Sequence, residues 1–144
     1  MIDIPKSFWR HGTIPVCELV GKTFTSIERR ESNEYDDDAL VFTCSDGSVY
    51  VMLHDQDCCE CVYIESICGN LEDLVGVPIV MAEDISNEMA DAPALDSYDE
   101  SYTWTFYKFA TIKGYVTIRW YGTSNGYYSE SVDLYRIVDA KEEE

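Results

Sequence analysis

The densest set of chemically capable side chains is His54-Asp55-Gln56-Asp57-Cys58-Cys59-Glu60-Cys61, with Cys68 shortly after. Imidazole and thiolate are the groups zinc prefers, four of them set tetrahedrally around the ion. The spacing works against such a site. Adjacent Cys58 and Cys59 do not converge on one ion from regular backbone, no second Cys-x-x-Cys follows, and the other histidine, His11, lies far away. No metal is expected. A cysteine nucleophile activated by His54 is the second chemistry these residues could do, because a thiolate beside an imidazolium is reactive. Five carboxylates between Asp46 and Glu65 oppose it, since negative neighbours raise a thiol's pKa. The plainest reading is that the segment joins two strands, with its cysteines packed as thiols and its acids facing water.

A second cluster runs from Arg119 to Ser129 (RWYGTSNGYYS). Rings beside a polar turn with an arginine nearby could stack a base and hold a phosphate, through Arg119, Trp120, Asn125, Tyr127 and Tyr128. Strand alternation places Arg119 on the face opposite Trp120, and rings filling one face of a meander account for the same pattern. The chain has no P-loop, no GxGxxG, no His-Glu-x-x-His and no Gly-x-Ser-x-Gly. Neither an enzymatic activity nor a cofactor is expected.

Charge is the third feature. From Glu31 to Tyr107 there is no Lys or Arg, while that stretch holds 19 acids of the chain's 28, and the net charge is −18. A field of one sign attracts cationic partners and repels nucleic acid and anionic membranes. The expected partner is therefore a basic protein or nucleoprotein complex, with no direct binding of nucleic acid or membrane. Solubility alone is the competing explanation of the charge. The acids placed to act on a partner are Asp36, Asp37 and Asp38, where two strands should turn, and Glu83, Asp84, Glu88, Asp91, Asp96, Asp99 and Glu100 in the segment 83–100.

These groups need elements to position them, and the pattern is mostly β. Lys22 to Arg29 alternates, Ala39 to Cys44 is an apolar run, and Ser45-Asp46-Gly47 turns the chain into Ser48 to His54. Cys61 to Ile67 alternates again. Asn70 caps a short helical turn, Leu71 to Val75, that Gly76 ends. Ile79 to Ala82 reads as a strand, and 83–100 as an exposed acidic segment with a short helix near Ile85 to Ala90. Tyr102 to Ile112, Tyr115 to Tyr121 and Tyr127 to Ile137 form an aromatic meander with turns at Lys113-Gly114 and Thr123-Ser124-Asn125-Gly126, where Asn-Gly is a strong hairpin signal. The expectation is one domain, 1–144, mainly β: an antiparallel curved sheet or small barrel of about seven or eight strands with one or two short helices. A charged tail, 141–144, follows. With 46% hydrophobic and 13% aromatic residues the chain can bury a core, which argues against disorder outside the ends and the acidic segment. The N-terminus lacks a signal-peptide pattern and no window reaches the apolar length of a membrane span, so a cytoplasmic protein with reduced cysteines is expected.

Five stretches together resemble a family of small uncharacterised bacteriophage and prophage proteins. They are Glu18-Leu-Val-Gly-Lys-Thr, the HDQDCCE run at 54–60 with Val62-Tyr-Ile-Glu65 after it, LEDLVG-P-I to Ile79, and TWTFYKFATIKGYVTIRWYG-SNGYYS from Thr103 to Ser129. The resemblance covers nearly the whole chain. It implies a phage accessory protein in a bacterial host cell and brings no activity, cofactor or catalytic residue. Members often hold a small polar residue in place of Cys61, which further weakens a zinc site. For such a protein the acids would act as phosphate mimics that block a host CRISPR or restriction complex. The alternative is an oligomeric sponge that sequesters a cyclic-nucleotide signal through the aromatic turn, which leaves a homo-oligomer open.

Overall fold

In the computed structural model, residues 13–31, 38–54, 59–87, 93–96 and 98–137 are described. Asp36, Asp37, Asp55 to Cys58, Glu88, Asp91 and the tail 141–144 lie outside them. Eight strands follow in order: β1 (Phe24–Glu31), β2 (Asp38–Cys44), β3 (Val49–Leu53), β4 (Cys61–Cys68), β5 (Met81–Asn87), β6 (Ser101–Thr111), β7 (Gly114–Ser124) and β8 (Asp133–Ile137). They form two four-stranded antiparallel sheets, β1-β2-β3-β8 and β4-β7-β6-β5. The mainly β expectation holds. The arrangement is a pair of open sheets rather than a closed barrel, and the helical elements among the described residues are two 3-10 turns, Val16–Leu19 and Leu71–Leu74.

The sheets pack face to face over one core. Leu40, Phe42, Tyr50, Met52 and Leu134 point into it from the first sheet, and Val62, Ile64, Tyr107, Phe109, Val116, Ile118 and Trp120 from the second. Phe42 bridges the layers, with its ring 5.0 Å from that of Phe24 and 5.9 Å from that of Phe109. Trp120 is 1% exposed, so truncating it would remove a burial worth about 3–5 kcal/mol. β2 and β3 are central strands buried on both faces, with Ala39, Val41, Val51, Leu53 and Tyr135 clustered on the far side of their sheet. This explains why 39–44 reads as a continuous apolar run.

Local chemistry sets the connections. Asp46 caps the β2–β3 turn by accepting from Ser48 N at 2.9 Å, and Gly47 takes φ +89° there, a conformation that costs glycine little. Asn70 caps Leu71–Leu74 as expected, accepting from Glu72 N at 3.0 Å. The Lys113 amide donates to Thr111 Oγ1 at 3.1 Å within the two-residue turn at 112–113 that joins β6 to β7.

Two expectations are corrected. Residues 83–87 are part of β5 rather than a loop or the start of a helix, because β6 offers a continuous register from Met81↔Ala110 to Asn87↔Trp104. Pairing with a neighbour outweighs weak local preference. The Asn125-Gly126 turn does not close a hairpin. Both edges of β7 are already taken, by β4 and β6, so the chain after the turn crosses to the other sheet and β8 pairs with β3.

Candidate functional site

The acids expected to form one surface have different fates. Asp38 lies on β2, is 7% exposed and faces the space between the sheets. Its Oδ2 accepts from Ile64 N at 2.6 Å and lies 3.4 Å from Arg29 Nη2. Ile64 sits at a β-bulge on β4, an edge strand whose outer amides no described strand pairs. Asp38 is thus a tie between sheets, and the reading of it as a phosphate mimic on a loop is corrected. Glu83, Asp84, Asp96 and Glu100 are exposed, and Asp99 is half-buried.

The aromatic cluster also divides. Trp120 points into the core, which corrects its assignment as a ligand platform. Arg119 lies on the outer face of the second sheet, 5.1 Å above the Trp104 ring, with its Nε 3.5 Å from Glu65 Oε2. Its charge is already answered. Tyr127 is 90% exposed beside the Asn125-Gly126 turn, which Asn125 holds by accepting from Tyr127 N at 3.0 Å.

That outer face is aromatic as well. Trp104 and Tyr121 face each other across β6 and β7 with centroids 4.6 Å apart, and Tyr63 and Tyr102 pack on Tyr121. Part of the acidic segment lies across them as a strap. Trp104 Nε1 donates to Pro93 O at 3.0 Å, Leu95 N donates to the Tyr121 hydroxyl at 3.0 Å, and that hydroxyl donates to Asp99 Oδ2 at 2.6 Å. Burial and the neighbouring Asp99 carboxylate hold the Tyr121 phenol above its ordinary range, so it remains a donor at neutral pH.

Where the strap meets β6, it brings the two sequence clusters together. Ser101 pairs with Ser124, so Asp99 and Glu100 arrive beside the β7 end and its turn. Cys59, Tyr98, Asp99, Glu100, Thr123, Ser124, Asn125 and Tyr128 line a recess of about 300 Å³. Behind Ser124 lies Glu130, 8% exposed, whose Oε1 accepts from Thr103 Oγ1 at 2.8 Å and whose Oε2 accepts from Ser124 Oγ. Gly122 makes room for it: a Cβ there would stand 2.9 Å from Glu130 O and 3.0 Å from Glu130 Cβ. The recess therefore has two carboxylates in its lining and a third beneath, with no Lys or Arg in the described lining. Glu130, Ser124 and Tyr98 were not singled out in the sequence. A lone acid after a turn carries no signal by itself.

The His54 segment builds something else. His54 and Glu60 are buried together, with Nε2 2.9 Å from Glu60 Oε2 and Nδ1 2.6 Å from Ser131 O. A carbonyl oxygen only accepts, so Nδ1 donates to Ser131 O while Nε2 faces the Glu60 carboxyl. Both ring nitrogens are engaged, and the dyad anchors the chain ahead of β8 to the end of β3. No group of three or more His, Cys, Asp or Glu among the described residues could hold a metal ion. Cys17, Cys44, Cys61 and Cys68 are not in disulfides, and burial pushes the Cys44 thiol up, away from reactivity. Cys59 departs from the all-thiol expectation: it is disulfide-bonded, with its partner outside the described residues. No helix among them is long and apolar enough to cross a membrane.

Comparison with known families gives a match over residues 17–134 to a domain of unknown function, DUF7448, and the chain belongs to that family. No curated protein and no solved structure matches it.

Proposed function

We propose that this member of the DUF7448 family is a non-catalytic binding protein that engages a basic protein or nucleoprotein partner through the acidic end of its second sheet. The observation that carries the reading is the recess, where Asp99 and Glu100 stand in the lining and Glu130 beneath, with no base in that lining. Carboxylates grouped around a partly enclosed space focus a negative field, because low-dielectric walls screen it less than water does. Exposed Glu83 and Asp84 extend the charge along the edge strand β5. Glu83 pairs in register with Lys108, seven positions along β6 from Ser101, so it stands roughly 23 Å from the recess. A partner would span that distance as an extended basic surface rather than meet a single patch.

The resemblance to phage proteins supplies the biological form of this reading: a counter-defence inhibitor in the bacterial cytoplasm that occupies the polyanion channel of a CRISPR or restriction complex. A channel built for phosphates binds largely through neutralised charge, so a protein polyanion competes for it. The sponge alternative draws less support. Asn125 and Tyr128 do line the recess, but its carboxylates repel a cyclic nucleotide's phosphate, Trp120 is in the core and Arg119 is engaged elsewhere.

The test is affinity capture from host lysate with the tagged protein and with the E83Q/D84N/E100Q variant. Wild type should retain a basic protein or complex that raised salt or added duplex DNA releases, and the variant should retain markedly less. Equal retention by both proteins, or retention insensitive to salt and DNA, would overturn the reading.

A further inference from the structure

We infer that the recess is a socket for an arginine side chain, which names the chemistry of the partner and rests on the reading above. Size comes first. About 300 Å³ is at the bottom of the range for ligand pockets, enough for one long side chain and too little for a folded element. Charge comes second: Asp99 and Glu100 in the lining, with Glu130 beneath, select a cation and reject phosphate or carboxylate.

Shape then decides among cations. A bare metal ion needs converging oxygen ligands, and no three His, Cys, Asp or Glu among the described residues, the recess acids included, are arranged to hold one. Aromatic side chains form part of the lining instead. Tyr98, 89% exposed, and Tyr128 belong to that lining, and a guanidinium is the cation that both stacks on a ring face and donates in parallel to a carboxylate. An ammonium offers a point charge and a larger hydration shell to lose.

The frame around the socket is fixed. Asp96 Oδ1 accepts from Tyr98 N at 2.9 Å, Tyr121 donates to Asp99 at 2.6 Å, and Gly126 N donates to Ser124 Oγ at 3.0 Å. Two of these bonds hold backbone amides and the third holds the Asp99 carboxylate before a partner arrives, so the ordering cost of binding falls on few side chains. Glu100 makes no ion pair among the described residues and is the acid best placed to turn toward an incoming guanidinium.

The experiment uses the full chain and a short capped peptide with one arginine among neutral residues, followed by amide chemical shifts in low salt. Three companion peptides replace the arginine by citrulline, lysine or glutamine. The arginine peptide should shift the amides of Tyr98, Glu100, Asn125 and Tyr128, with citrulline and glutamine at least tenfold weaker and lysine weaker by a few fold. E100Q and Tyr98→Ala should each lower arginine affinity at least threefold without moving shifts in the core. Citrulline binding as well as arginine, a response confined to other surfaces, or a neutral saccharide competing for the same amides would overturn the socket. Failure here with salt-sensitive capture intact rejects the socket and leaves the acidic binding reading standing. A responding socket with capture insensitive to salt and to E83Q/D84N/E100Q does the reverse.

Discussion

Replacing Asp38 separates the acids that hold the fold from those that face a partner. Asp38→Ala removes a buried carboxylate that accepts from Ile64 N at 2.6 Å and lies 3.4 Å from Arg29. Ile64 is 4% exposed, so its amide loses its acceptor with little access to water. An unsatisfied buried donor costs about 1–3 kcal/mol. The Arg29 guanidinium is 39% exposed, so its ion pair contributes only about 0–1 kcal/mol after solvent screening. The sum is about 3 kcal/mol, and with a urea slope of about 2 kcal/mol per molar the midpoint should fall by about 1.5 M. Asp38→Asn keeps an acceptor for Ile64 and loses only the charge, for a cost of about 1 kcal/mol. Urea unfolding followed by fluorescence and circular dichroism gives both numbers. Below its own transition Asp38→Asn should capture partner as well as wild type. A wild-type midpoint for Asp38→Ala would refute the tie between sheets, and a capture defect in folded Asp38→Asn would return this acid to the binding surface.

Three further outcomes are expected. Burial, then the Asp84 and Asp133 charges, hold the Tyr107 phenol above its ordinary range while its hydroxyl donates to Val132 O at 2.8 Å. A pKa raised on folding means that stability is complete below about pH 10 and is lost as pH rises beyond it; thermal unfolding should show this alkaline loss, and Tyr107→Phe should flatten it at the cost of about 1 kcal/mol at neutral pH. Gly69→Ala should destabilise by about 1–3 kcal/mol in the same urea assay, because φ there is +107° and the new methyl would collide with the Tyr115 carbonyl oxygen. Gly122→Ala, which places a Cβ 2.9 Å from Glu130 O, should displace the recess floor and weaken the arginine-peptide response more than it lowers the urea midpoint.

Much of the architecture was legible because local signals agreed with tertiary pairing. Asp46-Gly47 between apolar runs marks the β2–β3 hairpin, and the β6–β7 hairpin is visible in two aromatic runs around a short turn. Asn125-Gly126 carries the same local signal, but whether a turn closes a hairpin depends on which edges are free, and β7 has none. The run of three aspartates hid Asp38 for a similar reason. Its fate is set by register, Glu31↔Asp38, and by an unpaired amide on the opposite sheet. The recess was half visible. Acids and aromatic turn supported rival ideas, although counting back from a two-residue turn at 112–113 sets Glu100 beside Asn125. What could not be read is the strap, since the Tyr121 and Trp104 hydrogen bonds that pin it join residues without periodic relation.

The most direct test of the acidic binding surface is the affinity of an arginine-rich peptide, measured calorimetrically at about 25 and about 250 mM salt. E83Q/D84N/E100Q removes three charges from a net −18, one sixth of the overall charge, so a bulk field would weaken only slightly. The account predicts that wild-type affinity falls at least tenfold with salt and that the variant at low salt has already lost most of it. Wild-type affinity unchanged by salt, or a variant that binds as wild type does, would contradict it.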